Sequence, residues 1–143
     1  MKTRLLVIVA ILVLLGVPGC AASQTKPTQT IEVPMDDVMN QNVITRDVTL
    51  AVGDTLTVSL GANHSTPYAW TPQTQIADPS IVQQISHEYV APNPPPGIVG
   101  APGTEVWTFK ALKAGTTTIA TDYSMSADIT HSACIFTANV RVQ

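Results

Sequence analysis

From Cys134 to Val142 the chain alternates without a break. Cys134, Phe136, Ala138, Val140 and Val142 fall on one face, and Ile135, Thr137, Asn139 and Arg141 fall on the other. A period of two over that length sends successive side chains to opposite sides of a β-strand and requires a partner layer over the apolar side. The same pattern recurs upstream in shorter pieces. Val48, Leu50 and Val52 alternate with Asp47, Thr49 and Ala51, and Leu56, Val58 and Leu60 alternate with Thr55, Thr57 and Ser59. Gly53-Asp54 between those two runs predicts a tight turn and hence a hairpin. Ile81 to Ile85 is a weaker strand. Glu105, Trp107 and Phe109 alternate with Val106, Thr108 and Lys110, and beyond a turn at Lys113-Ala114-Gly115, Thr117, Ile119, Thr121 and Tyr123 share one face.

Past the first twenty residues no stretch holds a helical period. About seven short strands in about a hundred residues predict an all-β fold, an immunoglobulin-like antiparallel β-sandwich. With 143 residues, 45% of them apolar, the chain has enough for one core rather than two. Charged residues make up only 12% and the net charge is −3, so there is no basic field for nucleic acid.

The N-terminus reads as an address. Lys2 and Arg4 precede an apolar run from Leu5 to Leu15, the length of a signal-peptide core and too short to span a bilayer. The following Val17-Pro18-Gly19-Cys20 resembles the lipobox of bacterial lipoproteins, which implies a lipid on Cys20, a palmitate among its acyl chains, and an exported, membrane-anchored protein facing the extracytoplasmic side. A secretory signal cut near Ala21 or Ala22 is the other reading. With Cys20 lipidated only Cys134 remains, so no internal disulfide is expected. The expected division is a signal peptide over 1–19, a polar tether over 20–43 and a folded domain over 44–143. Ile31 to Val38 stays open between tether and edge strand, since Pro34 limits any strand there to an edge or a bulge.

Three irregular segments stand out between the strands: Gly61 to Pro67, Ala91 to Gly103 and Ser124 to Ser132. The second, with its run of Pro and Gly, is stiff, which lowers the entropy a loop loses on binding. The first contains Asn63-His64-Ser65-Thr66-Pro67-Tyr68-Ala69-Trp70. This resembles the NPTTGYxW signature of the chagasin-like inhibitors of papain-type cysteine proteases, with Asn63, Thr66, Tyr68 and Trp70 matching and Ser65 a mild change. Gly100-Ala101-Pro102-Gly103 and the strand after it resemble that family's GxGG loop, and the resemblance spans Asp47 to Val142. His64 stands where the family has Pro, and Pro67 and Pro102 stand where it has Gly. After Tyr123 the family has an Arg-Pro-Trp-like element, where this chain has Ser124-Met125-Ser126.

What the resemblance implies is a non-covalent inhibitor, expected to act as a monomer. Asn63, His64, Ser65, Thr66, Pro67, Tyr68, Gly100, Ala101, Pro102, Gly103, Ser124, Met125 and Ser126 would meet the protease. In that family three adjacent loops at one end of the sandwich form a wedge, and Thr66 would sit at its tip. The alternative is an immunoglobulin-like surface-binding or adhesion module that kept the fold and lost inhibition. An enzyme is not expected, because no nucleophile, base and orienting group stand in a recognisable context. Nor is a cofactor or metal: His64, His87 and His131 lack ligand spacing. Tyr68, Trp70, Trp107 and Tyr123 read as core or loop-supporting aromatics, and Cys134 as a small buried hydrophobe.

Overall fold

The computed structural model describes residues 26–126 and 128–143, so the signal segment and Cys20 lie outside it. Nine strands and one short helix follow in the order β1 (Thr28–Val33), α1 (Met35–Asn40), β2 (Val43–Leu50), β3 (Thr55–Ala62), β4 (Tyr68–Trp70), β5 (Gln75–Ile76), β6 (Val82–Val90), β7 (Gly103–Ala111), β8 (Gly115–Met125) and β9 (Asp128–Val142). They form two sheets, β1-β3-β7-β6 and β2-β9-β8-β4, with β5 also on β8.

The inward faces are the ones the alternation selects. Leu56, Val58, Leu60, Trp107 and Phe109 from one sheet meet Ile119, Tyr123, Cys134, Phe136, Ala138 and Val140 from the other, all buried. Such interdigitation is the core of a sandwich. Cys134 is fully buried within it, and burial pushes its thiol pKa up, which keeps it protonated and unreactive.

The structure corrects the sequence reading in four places. First, the sheets are mixed rather than purely antiparallel: β1 runs parallel to β3, and β2 parallel to β9. Second, the strands flanking Gly53-Asp54 do not pair as a hairpin. Val52 N–H donates to the Gln143 carbonyl at the end of one sheet (3.2 Å), while Gly53 N–H donates to the Ala111 carbonyl at the end of the other (2.8 Å). The turn therefore carries the chain across the sandwich, and Leu50 and Leu56 enter the core from opposite sheets. The buried Asp54 holds it, accepting the Ala51 N–H at 2.9 Å.

Third, the segment expected as tether over 20–43 is folded from Thr28 onward. β1 inserts Ile31 and Val33 into the core and α1 inserts Val38. The first turn of α1 lies on Gly61, where a β-carbon would overlap the backbone of Met35. The helix links β1 to β2, each at the edge of its sheet, and so covers that side of the sandwich. Fourth, Ser124 to Ser132 is largely strand: β8 continues to Met125 and β9 begins at Asp128.

Candidate functional site

The end of the sandwich opposite the Gly53 turn carries the connection 63–67, the connection 91–102 and the β8–β9 turn. Asn63 organises the first. Its side-chain oxygen accepts from Ser65 N–H (3.0 Å) and Ser65 Oγ–H (2.5 Å), and its carbonyl accepts from Thr66 N–H (3.0 Å) and Thr66 Oγ1–H (2.8 Å). Thr66 Oγ1 in turn accepts from Tyr68 N–H at 3.3 Å. This is the local side-chain-to-backbone bonding that Asn and Thr favour in turns, and it closes the loop on itself.

The same residue reaches outward. Asn63 Nδ2 donates to the Gly100 carbonyl on the second loop at 3.1 Å. On the other flank the Pro67 carbonyl accepts from Ser126 N–H (3.1 Å) and Ser126 Oγ–H (3.3 Å). The three segments singled out in the sequence are thus joined side by side. Ser65, Thr66, Pro67 and Pro102 are exposed, and Ala101 is half-buried. Ser124 and Met125 are not free loop residues: they pair with Ala69 and Tyr68 across β8 and β4, leaving Ser126 as the exposed contribution. Tyr68 is half-buried against the core, which makes it a support as much as a surface.

Beneath the loops stands an aromatic column. Tyr123 lies 5.1 Å from Trp70 and 5.7 Å from Tyr68 between ring centroids, and Trp70 meets Trp107 edge-on at 6.5 Å. Trp70 Nε1–H donates to the Gly61 carbonyl (2.9 Å), and the Tyr123 hydroxyl accepts the Asn63 N–H (3.4 Å). The buried ends of these aromatics therefore hold the entry to the first loop. Alongside it, Met35 and Met39 of α1 join Thr66, Pro67, Tyr68 and Pro102 in an apolar groove of about 550 Å³.

Sequence reasoning missed a second cluster. Glu105 of β7 is buried, and its two carboxylate oxygens meet His64 Nε2 at 2.6 Å and His87 Nε2 at 2.5 Å. His64 lies flat on Tyr89, with centroids 3.5 Å apart and planes 9° apart, and His87 leans on Trp107 at 4.8 Å. A signal was available, since the alternation that placed Glu105 on the inner face with Trp107 and Phe109 implied a buried carboxylate in need of donors. Gly103 completes the cluster, because a β-carbon there would run into the Tyr89 ring and the Val90 carbonyl. Among the described residues no group of His, Cys, Asp and Glu is arranged to hold a metal.

The sandwich ties three connections together at one end and presents them as one surface. Residues 49–141 match the chagasin family peptidase inhibitor I42, and the chain belongs to that family. Similar solved structures include the cysteine protease inhibitor EhICP2 from Entamoeba histolytica, at 23% identity and TM-score 0.59 over 81% of this chain and 97% of that one. PbICP-C in complex with falcipain-2 is similar at 19% identity and TM-score 0.64, over 80% and 99%. Amebosin in solution is similar at 24% and 0.55, over 82% and 99%. At these identities the likeness is one of fold. No match was found among curated protein sequences.

Proposed function

We propose that this protein inhibits papain-type cysteine proteases by inserting its joined loops into the active-site cleft, non-covalently, from a lipid anchor on Cys20 outside the cytoplasm. The observation that carries the reading is the pair of cross-links, Asn63 to Gly100 and Pro67 to Ser126, which make one preformed surface of three segments. Preformed loops lose little entropy on binding. A papain-type enzyme holds a thiolate beside an imidazolium at the floor of a cleft. A wedge that approaches it without presenting a correctly posed scissile carbonyl occupies the site and is not cut. Thr66 is the natural leading residue, since Pro67 restricts it to extended backbone and the turn 63–66 is already closed. The Gly100–Gly103 stretch flanks it, and the short β8–β9 turn contributes Ser126 on the other side.

The anchor fits this geometry. Lys26 Nζ donates to the Val52 carbonyl at 3.0 Å, so the described chain begins beside the Gly53 turn, at the end remote from the loops. A lipid a few residues upstream would leave the loops facing away from the membrane.

The test is Thr66→Trp. It should weaken inhibition of papain by about 100-fold or more while shifting the melting temperature by no more than ~2 °C, because an exposed loop tip contributes to binding and not to the core. An unchanged inhibition constant would remove Thr66 from the contact.

A further inference from the structure

We infer that His64 is a positioning residue of this site, a clamp that fixes the first loop to β7 through the buried carboxylate of Glu105. The inference rests on the inhibitor reading for its functional consequence but not for its geometry. Glu105 has a side chain only 4% exposed, while His64 is 45% exposed and belongs to a loop, so the loop residue bends inward to meet the strand residue. Each carboxylate oxygen of Glu105 has its own imidazole partner, Oε1 with His64 Nε2 and Oε2 with His87 Nε2, and the arrangement in which each Nε2–H donates satisfies both oxygens. His87 is carried by β6 and its position is fixed by strand pairing opposite Trp107. His64 has no such pairing, and its bond to Glu105 with its stack on Tyr89 is what sets it.

The consequence follows from adjacency. Asn63, which joins the first loop to the second, and Ser65 and Thr66, which form its exposed turn, are chain neighbours of His64. Asn63 Nδ2 reaches the second loop, the Pro67 carbonyl meets Ser126 and His64 Nε2 reaches β7, so the loop is held on three sides and His64 supplies the side that faces β7. Releasing His64 leaves the Asn63–Gly100 and Pro67–Ser126 bonds in place but removes the tie to β7, so the loop can turn about those remaining attachments.

A different role predicts different data. If His64 merely supplies a donor to keep a buried carboxylate satisfied, removing carboxylate and histidine together restores inhibition, although His87 then lacks its acceptor. If it positions the loop, removing both leaves inhibition lost. The experiment compares His64→Gln, His64→Phe and the double variant His64→Phe/Glu105→Leu in the full protein. It reads inhibition of papain, melting temperature, and amide hydrogen exchange of Asn63, whose N–H bonds outside the loop to the Tyr123 hydroxyl, in the free protein. Gln places an N–H where Nε2 stood and should keep inhibition within about threefold of the parent; Phe keeps a ring for Tyr89 but no donor and should lose about tenfold or more. The double variant should remain as weak an inhibitor as His64→Phe.

Exchange at Asn63 should be about tenfold faster in Phe than in the parent and in Gln. Phe inhibiting as well as the parent, or a double variant that regains inhibition, would overturn the clamp. If the double variant does not fold, the contrast between Gln and Phe decides. If the parent itself inhibits no papain-type enzyme, the inhibitor reading fails while exchange still judges the clamp: equal rates in Phe and parent sink it.

Discussion

Asn63 and Gly103 show how single residues decide the shape of the presented end. Asn63 uses its amide twice, its oxygen accepting from Ser65 and its Nδ2 donating to Gly100, so one short side chain both closes the first loop and joins it to the second. Gly103 acts by what it lacks. The Tyr89 ring occupies the space a β-carbon would need, and Tyr89 is the surface on which His64 stacks. Gly103→Ala should therefore displace Tyr89 and lower stability by about 1–3 kcal/mol, the usual cost of inserting a methyl into a packed site. Urea denaturation of the purified variant measures it, and an unchanged midpoint would show that Tyr89 yields without cost. His64, absent from the family signature as the sequence presents it, gains its meaning only from Glu105, forty-one positions away.

At the scale of elements, what the sequence disclosed depended on how many side chains each element buries on one face. β7, β8 and β9 were legible because Glu105 to Ala111, Thr117 to Tyr123 and Cys134 to Val142 alternate over several turns of the pleat. β1 was not, because only Ile31 and Val33 point inward beside a proline, and α1 was not, because six residues with Val38 alone buried cannot display a helical period. The false hairpin at Gly53 arose because alternation assigns a strand its inner face but not its partner. The polar stretch Ser124 to Ser132 hid the end of β8 and the start of β9, where backbone pairing, not side-chain burial, sustains the strands. The loops themselves were legible as breaks between strands, whereas the bonds joining them were not, since Asn63 to Gly100 and Pro67 to Ser126 are contacts across the fold. β1 offers a direct check. Deleting residues 26–33 exposes the outer edge of β3 and removes two buried aliphatic side chains, each worth about 1.5–3 kcal/mol, so stability should fall by about 3–6 kcal/mol. Loss of less than ~1 kcal/mol in a urea titration would make β1 an ornament of the sheet rather than part of it.

The whole molecule is polarised. The chain enters the described structure near Val52 and presents its joined loops at the far end, with the aromatic column of Tyr123, Trp70 and Trp107 beneath the loop end. That arrangement suits an inhibitor held at a membrane. Acyl chains on Cys20 would contribute about 0.8 kcal/mol per buried methylene, so Cys20→Ser should move the protein from the membrane to the soluble fraction, or arrest its processing. Equal fractionation of variant and parent would remove the anchor. The central claim is inhibition itself, and titration of the purified protein into active papain tests it most directly. Residual activity should fall linearly to zero at equimolar inhibitor, competitively with substrate, and the inhibitor should be recovered intact by mass spectrometry. Full activity at large excess, or cleavage of the chain within residues 63–67 or 91–102, would contradict it.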